Sequence, residues 1–111
     1  MLKPDVLRKK EDFTRLYRKQ KSVASKFVVL FYKKNTFPYN RKAFLASKKV
    51  GNSVQRNRAR RLLKESYRQL EADIPQGWDF IFIARNTILD SKCEDVKNSM
   101  KSTLKRAGII E

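Results

Sequence analysis

Eight cations stand between Lys48 and Arg68: Lys48, Lys49, Arg56, Arg58, Arg60, Arg61, Lys64 and Arg68, opposed only by Glu65. Arginine predominates. Its planar guanidinium can hold two phosphate oxygens at once, whereas lysine offers a point charge. The chemistry open to this run is therefore polyanion binding. Asn57 sits among the arginines, and its amide both donates and accepts, so it can bond a base edge or a ribose 2′-hydroxyl. Groups that break bonds are scarce by comparison. The chain has no histidine, so the commonest general acid and base of RNA cleavage is missing. Asp79 and Asp90 flank an apolar run and read as a strand start and a helix approach. Cys93 is the single cysteine, which leaves no thiol pair for a disulfide or a metal, and it falls on the apolar side of a helix.

A helix positions the cations. After Gly51, Asn52 is placed to cap a helix whose third position is Gln55, a capping-box arrangement, and the periodic pattern runs to about Glu71. At about 100° per residue, Ala59, Leu62, Leu63, Ser66 and Leu70 share one side, suited to packing on a sheet. Asn57, Arg61, Lys64 and Arg68 share the other, with Arg58 and Arg60 on its flanks. Solvated helix faces ordinarily mix signs in paired arrangements, and this one does not. The Gly51–Asn52 turn adds exposed backbone N–H groups at the positive end of the helix dipole, a second place for a phosphate.

The other elements supply the support. A helix is expected from about Lys9 to Lys19, with Glu11 and Asp12 in its first turn and Phe13, Leu16 and Tyr17 on one face. Phe27 to Lys33 reads as a strand, with Phe27, Val29 and Phe31 on one side and Val28, Leu30 and Tyr32 on the other. Asn35, Pro38 and Asn40 mark a loop from Lys34 to Asn40, expected to join an antiparallel pair whose second strand lies near Arg41 to Ser47. Pro75 and Gly77 precede a strand, Trp78 to Ala84, apolar on both sides and so expected inside the sheet. A last helix should start from a capping box of Ser91 and Glu94, bury Val96, Met100, Thr103, Leu104 and Ala107, and stop at Gly108. The order helix, strands, helix, strand, helix describes a two-layer α/β sandwich on a mostly antiparallel sheet, in one domain over residues 1–111.

Charge agrees with the helix. The chain carries a net charge of +16, and residues 1–68 hold 21 of its 27 basic side chains against four acidic ones, which places the binding surface in the first two-thirds. The longest apolar runs fall short of a membrane span, and the charged start does not read as a cleavable signal. A cytoplasmic setting is expected. Attachment to an anionic membrane lacks an apolar face beside the cations.

The run from Lys48 to Leu63, built around Arg56, Asn57 and Arg58, resembles the signature of the bacterial ribonuclease P protein family. The likeness extends to the Lys9, Lys10, Glu11, Asp12, Phe13 opening, the Ser22, Val23, Ala24 segment and the late strand ending at Ala84 and Arg85. The resemblance implies a four-stranded sandwich like the second domain of ribosomal protein S5, with a left-handed β-α-β crossover carrying the basic helix. It implies a protein that does not itself cut RNA. Such a protein sits beside a catalytic RNA, contacts the 5′ leader of precursor tRNA, and strengthens substrate and magnesium binding, the magnesium being held mainly by RNA and substrate. No obligate protein partner is implied. Lys48, Lys49, Asn52, Arg56, Asn57, Arg58, Arg60, Arg61, Lys64 and Arg68 would belong to the RNA-binding surface. Phe13, Tyr17 and Phe31 would line the leader-binding cleft, although pattern alone assigns all three to the core, Tyr17 being the better cleft candidate because its hydroxyl wants water or a partner. The rival readings are a ribonuclease in its own right, which the missing histidine disfavours, and a small basic ribosomal protein or RNA chaperone, which composition does not separate.

Overall fold

The computed structural model describes residues 21–111; the helix expected near Lys9 to Lys19, with Phe13 and Tyr17, lies outside the described residues. Strands β1 (Ser22–Ala24), β2 (Val28–Lys34), β3 (Arg41–Ala46) and β4 (Trp78–Ala84) form one sheet in the order β1-β2-β4-β3. Helix α1 (Ser53–Leu70) joins β3 to β4, and helix α2 (Cys93–Arg106) follows β4. Short 3-10 turns occupy Glu71–Asp73 and Asn86–Asp90. β1–β2 and β2–β4 are antiparallel, and β3–β4 is parallel. The described residues thus form the expected α+β sandwich.

β4 takes an interior position because its residues permit no other. Phe80, Ile81 and Phe82 are fully buried, and consecutive residues point to opposite faces, so the strand must be covered on both. This also corrects the expected hairpin. β2 and β3 do not pair; β4 lies between them, antiparallel to one and parallel to the other. The turn residues between them signal a reversal of direction but cannot name the strand's partner. The connection instead crosses the start of β4, where Asn35 N–H donates to Gly77 O at 2.8 Å and Trp78 N–H donates to the Asn40 side chain at 2.8 Å. β1, three residues at the sheet edge, is too short to show a period.

One sheet face carries Val28, Leu30, Phe80, Phe82 and Ala84 against the helices. α1 lies over β3 and β4, and α2 over β2 and β1. From α1 come Ala59, Leu63, Ser66, Tyr67 and Leu70; from α2, Val96, Ser99, Met100, Thr103 and Leu104. Tyr67 joins this core without having been singled out in the sequence, although it stands four residues from Leu63 and three from Leu70, and its ring packs among Phe44, Phe80 and Phe82. The opposite face centres on Ala43 and Ile81, with Phe31, Leu45 and Ile83 packed around them.

α2 begins differently from the expected Ser91–Glu94 box. The preceding 3-10 turn consumes Ser91, whose backbone N–H and hydroxyl both donate to Ile88 O. The helix starts two residues later, and the Asp95 carboxylate accepts from Lys92 N–H at 3.0 Å. The stop is as expected: Gly108 adopts φ 78°, and Ile109 N–H closes on Leu104 O at 3.0 Å.

Candidate nucleic-acid interface

The interface is built from the start of α1. Asn52 Oδ1 accepts from Gln55 N–H at 2.9 Å while Gln55 Oε1 accepts from Asn52 N–H at 2.8 Å, the reciprocal cap expected from the sequence. Gly51 makes it possible. Its φ is 148°, and a Cβ there would lie 1.9 Å from Gln55 Oε1, inside the atom that closes the cap. Lys48 and Lys49 are exposed on the tight turn leading into this point, anchored by buried Val50 and by Val50 N–H donating to Ser47 O at 3.0 Å. The Asn52 side-chain oxygen is committed to the cap, so this residue serves the surface first by fixing where the helix begins.

From there the helix distributes the cations. Arg58, Arg61, Lys64 and Arg68 are exposed, Arg56 and Arg60 half-buried, and Asn57 exposed. The Asn57 carbonyl accepts from the Arg60 guanidinium, which orders both side chains one turn apart and leaves the Asn57 NH2 group as donor. The Arg56 guanidinium donates to Ser53 Oγ at 3.3 Å, and its buried Nε–H has no acceptor among the described residues. Val54, Asn57, Arg60, Arg61 and Lys64 line an open depression of about 410 Å³.

Val54 is a functional candidate that sequence reading missed. It is 74% exposed, an apolar side chain in the middle of a cationic surface. The signal was present in its spacing, since Val54 precedes Asn57 by three residues and Arg61 by seven and so falls on the same stripe.

The stripe is not uniform. Arg68 forms an exposed two-point ion pair with Glu65, one contact being Nε to Oε2 at 3.0 Å. This hydrogen bond, aided by Gln69, holds the Glu65 carboxyl down at about 2 from its ordinary 4.5. The Arg68 guanidinium shifts upward for the same reason. The C-terminal end of the stripe is therefore locally neutral, and its uncompensated charge lies on Arg56, Arg58, Arg60, Arg61 and Lys64, of which Arg58, Arg61 and Lys64 are exposed.

Of the expected cleft residues, Phe31 lies on the sheet face opposite α1 and α2, half-buried beside Ile81, Leu45 and Ile83; Phe13 and Tyr17 are outside the described residues. The structure thus brings the RNA-surface candidates together along one helix and its lead-in turn, and sets Phe31 apart from them across the sheet. Of the two carboxylates considered for catalysis, Asp90 is exposed and Asp79 is held in a structural network. Asp79 is 5% exposed and accepts from Arg41 at 2.9 and 2.7 Å and from Asn35 at 2.8 Å. Cys93 is half-buried between the helices, its sulfur 3.9 Å from Ser66 Oγ. Among the described residues no three Asp, Glu, Cys or His side chains gather as a metal-ligand set, and no helix is long and apolar enough to cross a membrane.

Known proteins share this arrangement. The family model described as Ribonuclease P matches residues 1–108. The ribonuclease P protein component of Clostridium botulinum strain Loch Maree is 44% identical over 109 residues, covering 97% of this chain and 98% of that one. That of Alkaliphilus oremlandii is 43% identical over 104 residues, covering 94% and 91%. The solved Staphylococcus aureus RNase P protein superimposes with a TM-score of 0.86 at 32% identity, covering 98% of this chain and all of that one. A basic helix capped at Asn52, on a four-stranded sheet matched over almost its whole length by these relatives, leaves one conclusion: the chain belongs to the ribonuclease P protein family.

Proposed function

We propose that this chain, as the protein subunit of ribonuclease P, assists RNA-catalysed removal of the 5′ leader from precursor tRNA by laying the cationic face of α1 on RNA. The carrying observation is the direction of charge along that helix. Arg56, Arg58, Arg60 and Arg61 crowd its N-terminal half, where the backbone dipole is already positive, and its first turn holds no acid. This ordering opposes the stability of the helix and favours an anion brought to it. Lys48, Lys49 and the capped turn at Asn52 extend the same surface backward, with Arg56, Asn57, Arg58, Arg60, Arg61, Lys64 and, more weakly, paired Arg68 along it. Neutralising RNA here lowers the repulsion between catalytic RNA and substrate, so less magnesium is needed to bring them together. The magnesium itself is assigned to the RNA and the substrate.

Phe13, Tyr17 and Phe31 are the proposed leader contacts, where aromatic faces stack unpaired bases with little sequence preference. The domain is taken as one unit over residues 1–111, acting in the cytoplasm without an obligate protein partner. Tyr17→Ala should weaken binding of precursor tRNA by about 1 to 3 kcal/mol and leave mature tRNA nearly unchanged in a titration of the holoenzyme; equal losses for both would remove Tyr17 from the cleft.

The deciding experiment is cleavage of a precursor tRNA by a bacterial ribonuclease P RNA at low magnesium, with and without the chain. Cleavage only when both are present supports the proposal. RNA binding with unchanged cleavage would replace it by a ribosomal or chaperone role.

A further inference from the structure

The C-terminal third of the chain is nearly neutral in sequence, yet it places two arginines where the first third places a lysine. Lys26, Arg85 and Arg106 are all exposed and converge on the β1–β2 turn from three separate segments. Three consecutive carbonyls there accept from side chains of the segment after β4 and of α2. The Arg106 guanidinium donates to Ala24 O, Arg85 Nη1 donates to Ser25 O at 3.0 Å, and Thr87 Oγ1 donates to Lys26 O at 2.6 Å. Ser25 Oγ, donating to Val28 O at 3.0 Å, closes the turn on itself.

The carbonyls orient the two guanidiniums without cancelling their charge. Among the described residues none of the three cations is ion-paired with a carboxylate. A guanidinium has five N–H donors, and the turn uses one from each arginine. The position matters as much as the charge. Val28, Ala84 and Ala46 are register partners at one end of the sheet, so the chain leaves that end at Lys26, Arg85 and Ser47 in turn, with Lys48 and Lys49 following. Neighbouring strands lie about 4.8 Å apart, which puts the outer two of these three strand ends, on either side of β4, within about 10 Å of each other. The cations therefore continue the rim on which α1 begins.

We infer that Lys26, Arg85 and Arg106 form a second phosphate-binding site for the RNA backbone, separate from α1 and joined to it through Lys48 and Lys49. The inference rests on α1 being an RNA surface. Its ligand is a backbone phosphate, supplied either by the catalytic RNA or by precursor tRNA. The turn would then be a preset fork, with guanidiniums held in place before RNA arrives.

The test uses the full chain with a bacterial ribonuclease P RNA and compares Lys26→Ala, Arg106→Gln and the pair with the native protein. The Lys26 ammonium lies over the Phe27 ring, 5.3 Å from its centroid, so Lys26→Ala removes the charge and this one contact, which the Tm readout follows, and Arg106→Gln keeps an N–H donor for Ala24 O. Affinity is measured from 50 to 200 mM salt, first for the catalytic RNA and then, in the assembled holoenzyme, for precursor tRNA. Each lost phosphate contact should reduce the slope of log affinity against log salt by about 0.7 to 0.9, so that affinity falls about threefold less over this range. A reduced slope in the first titration assigns the phosphate to the catalytic RNA, and a reduced slope only in the second assigns it to precursor tRNA. Unchanged slopes in both, with Arg61→Ala and Lys64→Ala still lowering theirs, would overturn this site alone. Unchanged slopes in all five variants would overturn the α1 surface with it. A fall in Tm without a change of slope would make the trio a structural cap and likewise overturn the inference.

Discussion

The two helices on the same sheet face are built alike on the inside and oppositely on the outside. α1 has 18 residues and α2 has 14, and each buries one stripe against β2, β3 and β4 or the neighbouring helix. α2 opens with Glu94 and Asp95 and closes with Lys105 and Arg106, the order that a helix dipole favours. α1 opens with no acid and loads arginine into its first half. Arg56, about one turn from the start, is the cation that the dipole opposes most directly, at a cost of roughly 0.3 to 1 kcal/mol at low salt, and the arginines beyond it add mutual repulsion. A chain that arranges α2 for stability shows that the arrangement in α1 is not a failure to find it. The difference separates what holds the fold from what meets a polyanion.

The largest effect should be the one the helices share. Leu63→Ala and Leu104→Ala each empty a fully buried position and should each cost about 2 to 5 kcal/mol in urea denaturation, with RNA salt slopes unchanged in whatever protein stays folded. A slope altered as much as by the arginine variants would end the division of labour between inside and outside. Next comes the cap. Gly51→Ala should cost about 1 to 3 kcal/mol, because the new Cβ enters the space of Gln55 Oε1 and the backbone keeps a positive φ. Gly108→Ala, just past the end of α2, meets nothing within 4 Å and should lose only the φ contribution. Equal losses at the two glycines would mean that the Asn52–Gln55 cap does not set the start of α1.

Much of this was legible in the sequence because it depends on local periodicity. The Asn52–Gln55 cap, the α1 cationic stripe, the Gly108 stop and the interior placement of Trp78 to Ala84 all follow from residues a few positions apart. The misses are non-local or too short. The Lys34 to Asn40 segment shows a reversal, but pairing was decided by β4, more than thirty residues later, inserting between β2 and β3. Ser91 looked like a cap until the 3-10 turn ahead of it took its hydroxyl. The meeting of Lys26 with Arg85 and Arg106 spans most of the chain, and the near-neutral charge of the last third concealed it. Val54 and Tyr67 were both readable from helical spacing, one hidden by its cationic neighbours and the other by its hydroxyl.

A medium effect sharpens the contrast at the surface. Arg61→Ala and Lys64→Ala should each reduce the salt slope of RNA binding by roughly 0.7 to 0.9 and leave the urea midpoint nearly unchanged or slightly raised, since each removes a cation from a helix already crowded with them. Lys101→Ala on the exposed side of α2 should change neither. If Lys101→Ala lowers the slope as much as Arg61→Ala, binding follows net charge rather than the α1 face.

The smallest effect lies where α1 departs from its own pattern. Glu65 is the one acid among its cations, and its pairing with Arg68 lowers its folded pKa to about 2, below the ordinary 4.5. A depressed carboxylate pKa means that the unfolded chain binds the proton more readily. The pair's contribution to stability is thus fully present above about 4.5 and is lost as pH falls toward 2. Both side chains are exposed, so the contribution is small and screened by salt. Glu65→Gln should flatten only this acid window of the stability curve and release Arg68 to the cationic face, giving a slightly steeper salt dependence of RNA binding at neutral pH. An unchanged acid window would show that the ion pair is not maintained in solution. A flattened window with an unchanged salt slope would show that Arg68, even when released, lies beyond the stretch of α1 that RNA covers.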